Sequence, residues 1–436
     1  MLLKVRLHRW IIFVSLSLIL SGCTEQENVS RPPGEELRSS KQRITAPVVQ
    51  DSDVDLQVAG NTAFALDLYN QLRAGSQDNI FFSPHSIEVA LAMTWAGAGT
   101  QTETAMANTL HFELDQTRLH PFFNHLDLEF SSSGDDDSDE GQFELNIINK
   151  IWGRVGVEFL GGFLDVLAEN YGTGLYLLDF ENDPGGSAEK INAWVEQVTH
   201  QRILDLLPPG SISKATVLVL VNAIYFNAAW RWPFKEELTS DQTFHAADGR
   251  DVQVSMMHQT EEFPYEEGDG YQAVELPYHG QDFSMLILAP DLGTLDAFEG
   301  QLTASFIDVV RSSMYHGNLV ELSMPRWQLE GETVRLKEML SNLGMEVAFD
   351  DQAADFCKMT NEYCGRLWID DVLHQAFVKV DESGTEAAAS TAVIMEGDGS
   401  MPDMGPKITL DRPFIYFILD RTTGQILFMG RVVDPS

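Results

Sequence analysis

One apolar run, Trp10 to Leu20, stands near the start of the chain, broken only by Ser15 and Ser17 and preceded by Lys4, Arg6 and Arg9. It falls short of the about 20 residues a bilayer span needs and has the layout of a secretory signal. From Thr24 to about Gln50 no apolar period is sustained, and Glu, Arg, Pro, Gly and Ser predict a flexible tether with a reach of about 30 Å. Phe64, Leu68 and Leu72 then recur at helical spacing. Asn79 to Pro84 predicts a short strand, and Ser83-Pro84 starts a helix whose body, Ile87 to Trp95, is apolar almost all round and so buried. Val217 to Phe226 predicts a central strand buried on both faces. Further strands are expected at Asp251 to Met257, Gln272 to Leu276, Phe283 to Ala289, Leu319 to Met324, Leu367 to Ile369 and Ile426 to Val433. Helices early and strands mostly late argue α+β, with one large mixed sheet. The division expected is a signal over 1–22, a tether over 23–55 and a folded unit over 56–436.

Composition narrows the partners. Lys and Arg number 28 against 66 Asp and Glu, a net charge of −38 over 436 residues. A surface so acidic repels phosphate, so nucleic acid and heparin-like polyanions are not expected to bind. Catalytic signatures are missing from the sequence: it has no Gly-x-Ser-x-Gly, His-Glu-x-x-His, P-loop or Cys-x-x-Cys. The histidines lack metal spacing, and no cofactor or metal is expected. A dispersed catalytic triad stays open, because triads are spatial. Asp135, Asp136, Asp137, Asp139 and Glu140 suggest a calcium loop, but Glu140 stands where a turn glycine is needed and Asn146 where the closing glutamate belongs. A solvated loop is the reading. Leu20-Ser21-Gly22-Cys23 resembles the bacterial lipobox, which would make Cys23 a lipidated mature terminus in the cell envelope; the alternative is an ordinary signal with a chance cysteine.

The informative stretch lies near the C-terminus. Asp381-Glu382-Ser383-Gly384-Thr385-Glu386-Ala387-Ala388-Ala389-Ser390-Thr391 is a run of small residues that leads into Val393-Ile394-Met395 and, further on, Arg412-Pro413-Phe414. Together with Asn79 to Ile87, Ile191 to Val195, Leu220 to Phe226, Trp230 to Phe234, Asp371 to Phe377 and Phe428 to Val432, it resembles the serpin family of serine protease inhibitors, from Phe64 to the end. The resemblance implies one domain of about nine helices, three sheets and an exposed reactive loop. It also implies a suicide inhibitor rather than an enzyme: a monomer that forms a covalent acyl complex with its target endopeptidase. The cut loop then enters the main sheet as a new strand. A non-inhibitory surface binding protein or chaperone is the alternative.

Insertion demands alternation, and the loop meets it. Thr385, Ala387, Ala389, Thr391, Val393 and Met395 share one parity without a charge or proline, while Glu386, Ser390 and Glu396 take the other. Carried over from the family, Glu382, Gly384, Thr385, Ala387 and Ala389 form the hinge. Ser83, Ser86, Asn222 and His374 form the shutter, and Trp230 lies in the breach. Trp327 stands where phenylalanine is usual. Family spacing from Glu382 puts the scissile bond at Asp398-Gly399; counting back from Pro413 points nearer Met401 and Pro402. An aspartate before the bond implies a protease with a basic pocket, while Glu396 and Met395 suit glutamate-specific and elastase- or subtilisin-like enzymes. With Cys23 assigned to lipid, Cys357 and Cys364 remain as a disulfide or as two thiols.

Overall fold

The computed structural model describes residues 31–132, 144–317, 319–330, 333–385 and 405–436. Cys23, the acidic stretch at 135–140 and the loop residues Ala387, Ala389, Asp398 and Gly399 lie outside the described residues. The chain opens with β1 (Glu35–Leu37) and α1 (Asp51–Gly75), whose first turn sets Asp51 and Asp53 at the positive end of the helix dipole. β2 (Ile80–Phe82) runs into α2 (Pro84–Trp95), where Ser83 accepts from the Ser86 amide and Pro84 takes a first-turn position whose N–H would go unused. Next come α3 (Thr100–Thr109), α4 (Gln116–Ser132), β3 (Glu144–Arg154), α5 (Gly161–Tyr171), β4 (Leu175–Leu178) and α6 (Pro184–Val198). The second half is strand-rich: β5 (Leu218–Ala229), β6 (Ser240–His245), β7 (Asp251–Glu261), β8 (Tyr265–Gly268), β9 (Tyr271–Pro277) and β10 (Phe283–Pro290). After α7 (Leu295–Glu299) and α8 (Ala304–Ser313) follow β11 (Val320–Pro325), β12 (Trp327–Glu330), β13 (Val334–Arg335) and α9 (Lys337–Leu340). β14 (Leu373–Val380), β15 (Gly384–Thr385), β16 (Lys407–Thr409), β17 (Phe414–Asp420) and β18 (Ile426–Val432) complete the chain.

These strands form three sheets, as the α+β expectation requires, with nine α-helices among the described residues. The main sheet runs β1-β4-β3-β5-β15-β14-β12, the second β2-β18-β17-β10-β9-β8, and the third β16-β11-β7-β6. β5 is covered on both faces because its alternate residues go to different cores. Phe226 and Ile224 enter the large core behind the main sheet, while Val221 and Ala223 meet Ile191, Trp194 and Val195 of α6 on the outer face. Trp327, at the position where the family pattern departs, is buried edge-on against Phe414 with ring centroids 5.3 Å apart.

Two expectations are corrected. The tether expected over 23–55 does not extend through its described part: residues 31–50 dock on the domain and α1 begins at Asp51. β1 adds to the edge of the main sheet with Glu36 opposite Tyr176, the Trp152 indole donates to the Pro33 carbonyl at 2.9 Å, and Arg43 reaches Asn124 at 2.8 Å and Asp127 at 2.5 Å. The docking runs mainly through backbone and charge, with Leu37 and Val49 packing on the core, so it leaves no apolar period. Leu367 to Ile369 is not a strand either. Its apolar residues turn into the base of the main sheet, and only the Ile369 amide is bonded onward, to the Ala348 carbonyl at 2.9 Å.

Candidate functional site

The seam between β5 and β14 divides the main sheet into two halves. These strands pair in parallel from Leu373 opposite Val221 to Phe377 opposite Tyr225. Above Tyr225 they separate, and β15 fills the gap: Gly384 lies opposite Ala229, and Thr385 opposite Ala228 on one side and Val380 on the other. Gly384 takes a φ of +157°, and a Cβ built there would stand 2.2 Å from the Ala228 carbonyl oxygen, so only glycine fits. Thr385 is fully buried and its hydroxyl bonds that of Tyr278 at 2.7 Å.

Around this upper end the expected hinge and breach residues meet. Trp230 stacks on Tyr278 with centroids 4.7 Å apart, and its indole N–H donates to the Asp381 carbonyl at 3.0 Å. The Trp230 amide donates to the Ser383 carbonyl at 2.9 Å and the Phe234 amide to the Glu382 carbonyl at 2.8 Å, which fixes the turn into the hinge. The Glu382 carboxylate, 4% exposed, accepts from Arg326 Nε at 2.8 Å, from Arg326 Nη2 and from the Thr239 hydroxyl at 2.5 Å. Burial alone would push its pKa up; the bonds from Arg326 and Thr239 outweigh it and hold the carboxyl below its usual value.

Four residues expected at the shutter form one buried network behind the closed part of the seam. The Ser83 amide donates to His374 Nε2 at 3.1 Å, and the Ser83 hydroxyl donates to the Leu427 carbonyl at 2.6 Å. Because a backbone N–H can only donate, Nε2 accepts and Nδ1 carries the proton, donating to Asn222 Oδ1 at 2.5 Å. Asn222 Nδ2 donates in turn to the Ser86 carbonyl at 2.7 Å and to Asn149 Oδ1 at 2.7 Å. Burial lowers the His374 pKa to about 3, so the ring is neutral at neutral pH. The network thereby ties β3, β5 and β14 to the N-terminus of α2.

Arg326, Thr239, Tyr278 and Asn149 belong to this arrangement and were not picked out from the sequence. Each sits on or beside a strand far along the chain from its partner, with no local pattern to mark it. Cys357 and Cys364 are bonded to each other, with Cα atoms 4.3 Å apart, beneath the lower end of the seam. The whole arrangement, among the described residues, holds the seam between β5 and β14 and the hinge above it.

A protein-family model for the serpins, serine protease inhibitors, matches residues 59–435. An uncharacterized serpin-like protein of Thermococcus kodakarensis is 38% identical over 99% of this chain and 100% of its own length. Human serpin B4 is 36% identical over 86% of this chain and 98% of its own. The crystal structure of tengpin, a thermophilic serpin in the native state, superposes with a TM-score of 0.77, covering 91% of this chain and 97% of that one at 24% identity. With a sheet whose seam already holds the first residues of the loop, and with matches over nearly its full length, the chain belongs to the serpin family.

Proposed function

We propose that this protein is a suicide-substrate inhibitor of serine-type endopeptidases, with cysteine-type endopeptidases as the alternative targets, possessing a bait bond at Asp398-Gly399. What supports the reading is the register of β15. Continued from Thr385 opposite Ala228, the ladder would set Ala387, Ala389, Thr391, Val393 and Met395 opposite Phe226, Ile224, Asn222, Leu220 and Leu218, all on the core-facing side. Ser390 and Ala392 would fall opposite Ala223 and Val221, which pack under α6, and their small side chains would add little bulk there. Glu386 and Glu396 would fall opposite Asn227 and Val217, at either end of that stretch, where both neighbours are themselves buried. Insertion exchanges one interface, β5 with β14, for two. Each added ladder bond contributes about 1 kcal/mol net, and apolar burial adds to that.

The acyl-enzyme formed at Asp398 would be carried along by the inserting strand before water can release it. The test is incubation with a protease panel that includes aspartate- and glutamate-preferring enzymes, read as a complex that survives SDS. N-terminal sequencing of the small fragment released should begin at Gly399. A different start refutes the bond assignment, and cleavage by every enzyme without a stable complex refutes the inhibitor. On localisation, the reading is a lipid on Cys23 and outward display from a bacterial envelope. Residues 31–50 dock on the domain, and the seven residues between Cys23 and Arg31 could bridge at most about 25 Å if fully extended.

A further inference from the structure

The docked segment 31–50 fixes the point at which the N-terminal chain meets the fold. β1 runs antiparallel to β4 with Glu35 opposite Leu177; Leu177 lies opposite Gly153 of β3, and Gly153 opposite Leu218 at the lower end of β5. Glu35 is therefore level with Leu218, and the chain enters from below it, since β1 climbs from there to Leu37 opposite Leu175. The hinge is at the other end of the sheet: Thr385 lies opposite Ala228, ten residues up β5 from Leu218, which is about 33 Å along the strand. Further bonds keep the segment down. Lys41 Nζ reaches the Glu169 carboxylate at 3.1 Å, the Ile44 amide donates to the Glu169 carbonyl at 2.9 Å, and Asn124 Nδ2 donates to the Ile44 carbonyl at 2.7 Å. The backbones meet so closely that a Cβ built on Gly174 would stand 2.4 Å from the Leu37 carbonyl oxygen.

We propose that this docking turns the hinge end of the domain away from the lipid surface that holds Cys23, presenting the loop to soluble proteases rather than to any at that surface. The inference rests on the lipid-anchor and inhibitor readings above and adds which way the domain faces. The seven residues between Cys23 and Arg31 keep Arg31 within about 25 Å of the lipid. A domain turned over onto its hinge end would raise Glu35 by about 33 Å, farther than that chain reaches. Without docking, residues 24–50 would give a free chain of about 90 Å when extended, and either end could face the membrane. Charge acts in the same sense. Residues 31–50 carry Arg31, Arg38, Lys41 and Arg43 against Glu35 and Glu36, in a chain of net charge −38, so anionic headgroups attract the docked segment and repel the rest.

The test uses the full-length lipidated protein in vesicles of phosphatidylcholine and phosphatidylglycerol that contain an acceptor-labelled lipid. A fluorescent amino acid replaces either Lys214, exposed just before the lower end of β5, or Glu237, exposed just past its upper end. Energy transfer to the lipid should be at least about twofold stronger from position 214 than from position 237, because the two ends stand about 33 Å apart. Lys41→Glu combined with Arg43→Glu, which turns attractions to Glu169 and Asp127 into repulsions, should bring the ratio towards one. So should an insertion of about twenty Gly and Ser residues before Arg31, which leaves the docked segment and the fold untouched. Equal transfer from the two positions in vesicle-bound wild type, or a ratio that the insertion does not move, would overturn the orientation and leave the anchor standing. Failure of the wild type to bind vesicles would overturn the anchor and the orientation with it. A soluble protease trapped by the free protein should be trapped at the same rate on vesicles, and a loss of about tenfold would overturn the outward-facing loop. The transfer measurement uses no protease, so a failure of the inhibitor reading leaves its outcome unchanged.

Discussion

Thr385→Arg tests whether the hinge must enter the seam. In the native protein Thr385 is fully buried, paired on both sides, and bonded through its hydroxyl to Tyr278. Losing that hydroxyl leaves the buried Tyr278 O–H without its partner, a cost of about 1 to 3 kcal/mol. Keeping a guanidinium in the same place adds a desolvation penalty of several kcal/mol. The variant hinge therefore favours leaving the sheet by roughly 5 kcal/mol. If half of this is felt at the transition state for insertion, strand entry slows about a hundredfold. Hydrolysis of the acyl-enzyme does not involve Thr385 and keeps its rate, so the protease escapes before it is trapped. The assay is the stoichiometry of inhibition against whichever protease gives an SDS-stable complex with the wild type. It should rise steeply for the arginine variant, with cleaved inhibitor accumulating, while Thr385→Val, which loses only the hydrogen bond, should lie between. Full one-to-one inhibition by the arginine variant would refute insertion through this site.

The shutter predicts a pH dependence. Burial lowers the pKa of His374 and His85 to about 3 and of His120 to about 4, so between these values and about 6.5 the unfolded chain takes up protons that the native state refuses. These groups cost no stability above pH 6.5 and progressively more as pH falls below it. Buried Glu88, raised well above its usual value, runs the opposite way. The contrast is best read against His374→Gln, whose melting temperature should drop less from pH 6.5 to 4.5 than that of the wild type; equal drops would remove His374 as a source. Gly384→Ala should drive the hinge out of the seam through its Cβ clash with Ala228, raising the stoichiometry of inhibition; an unchanged value would contradict the geometry. Thiol labelling of the denatured, unreduced domain should find neither Cys357 nor Cys364 free, and labelling of both would show the pair to be reduced. Cys23→Ala should move the protein out of the membrane fraction, and continued attachment would exclude the lipid anchor.

What the sequence makes legible follows from where the determining interactions lie. β5 was readable because its two faces meet two different cores, so every residue from Val221 to Phe226 had to be apolar, small or internally bonded. Ser83-Pro84 was readable because a helix cap is satisfied within four residues. The docking of residues 31–50 could not be read: β1 is held through backbone bonds, and Arg43 finds Asp127 across a distance in the chain that no local pattern encodes. Leu367 to Ile369 misled for a related reason, since an apolar run signals burial without saying what it is buried against, and here Leu367 and Trp368 border a cavity rather than a neighbouring strand. On the inhibitor reading, the same distinction would let one sheet be both folded and poised to change. The closed seam is held by a few directional bonds through Asn222 and His374, which fail together once either partner moves, because each buried group left behind loses its only compensation. A strand of small and apolar residues would be held by many non-directional contacts along its length. A barrier made of the first kind of interaction and a driving force made of the second can coexist in one chain: on the inhibitor reading, the polar network would govern when the seam opens, and the loop sequence would supply the gain once it has.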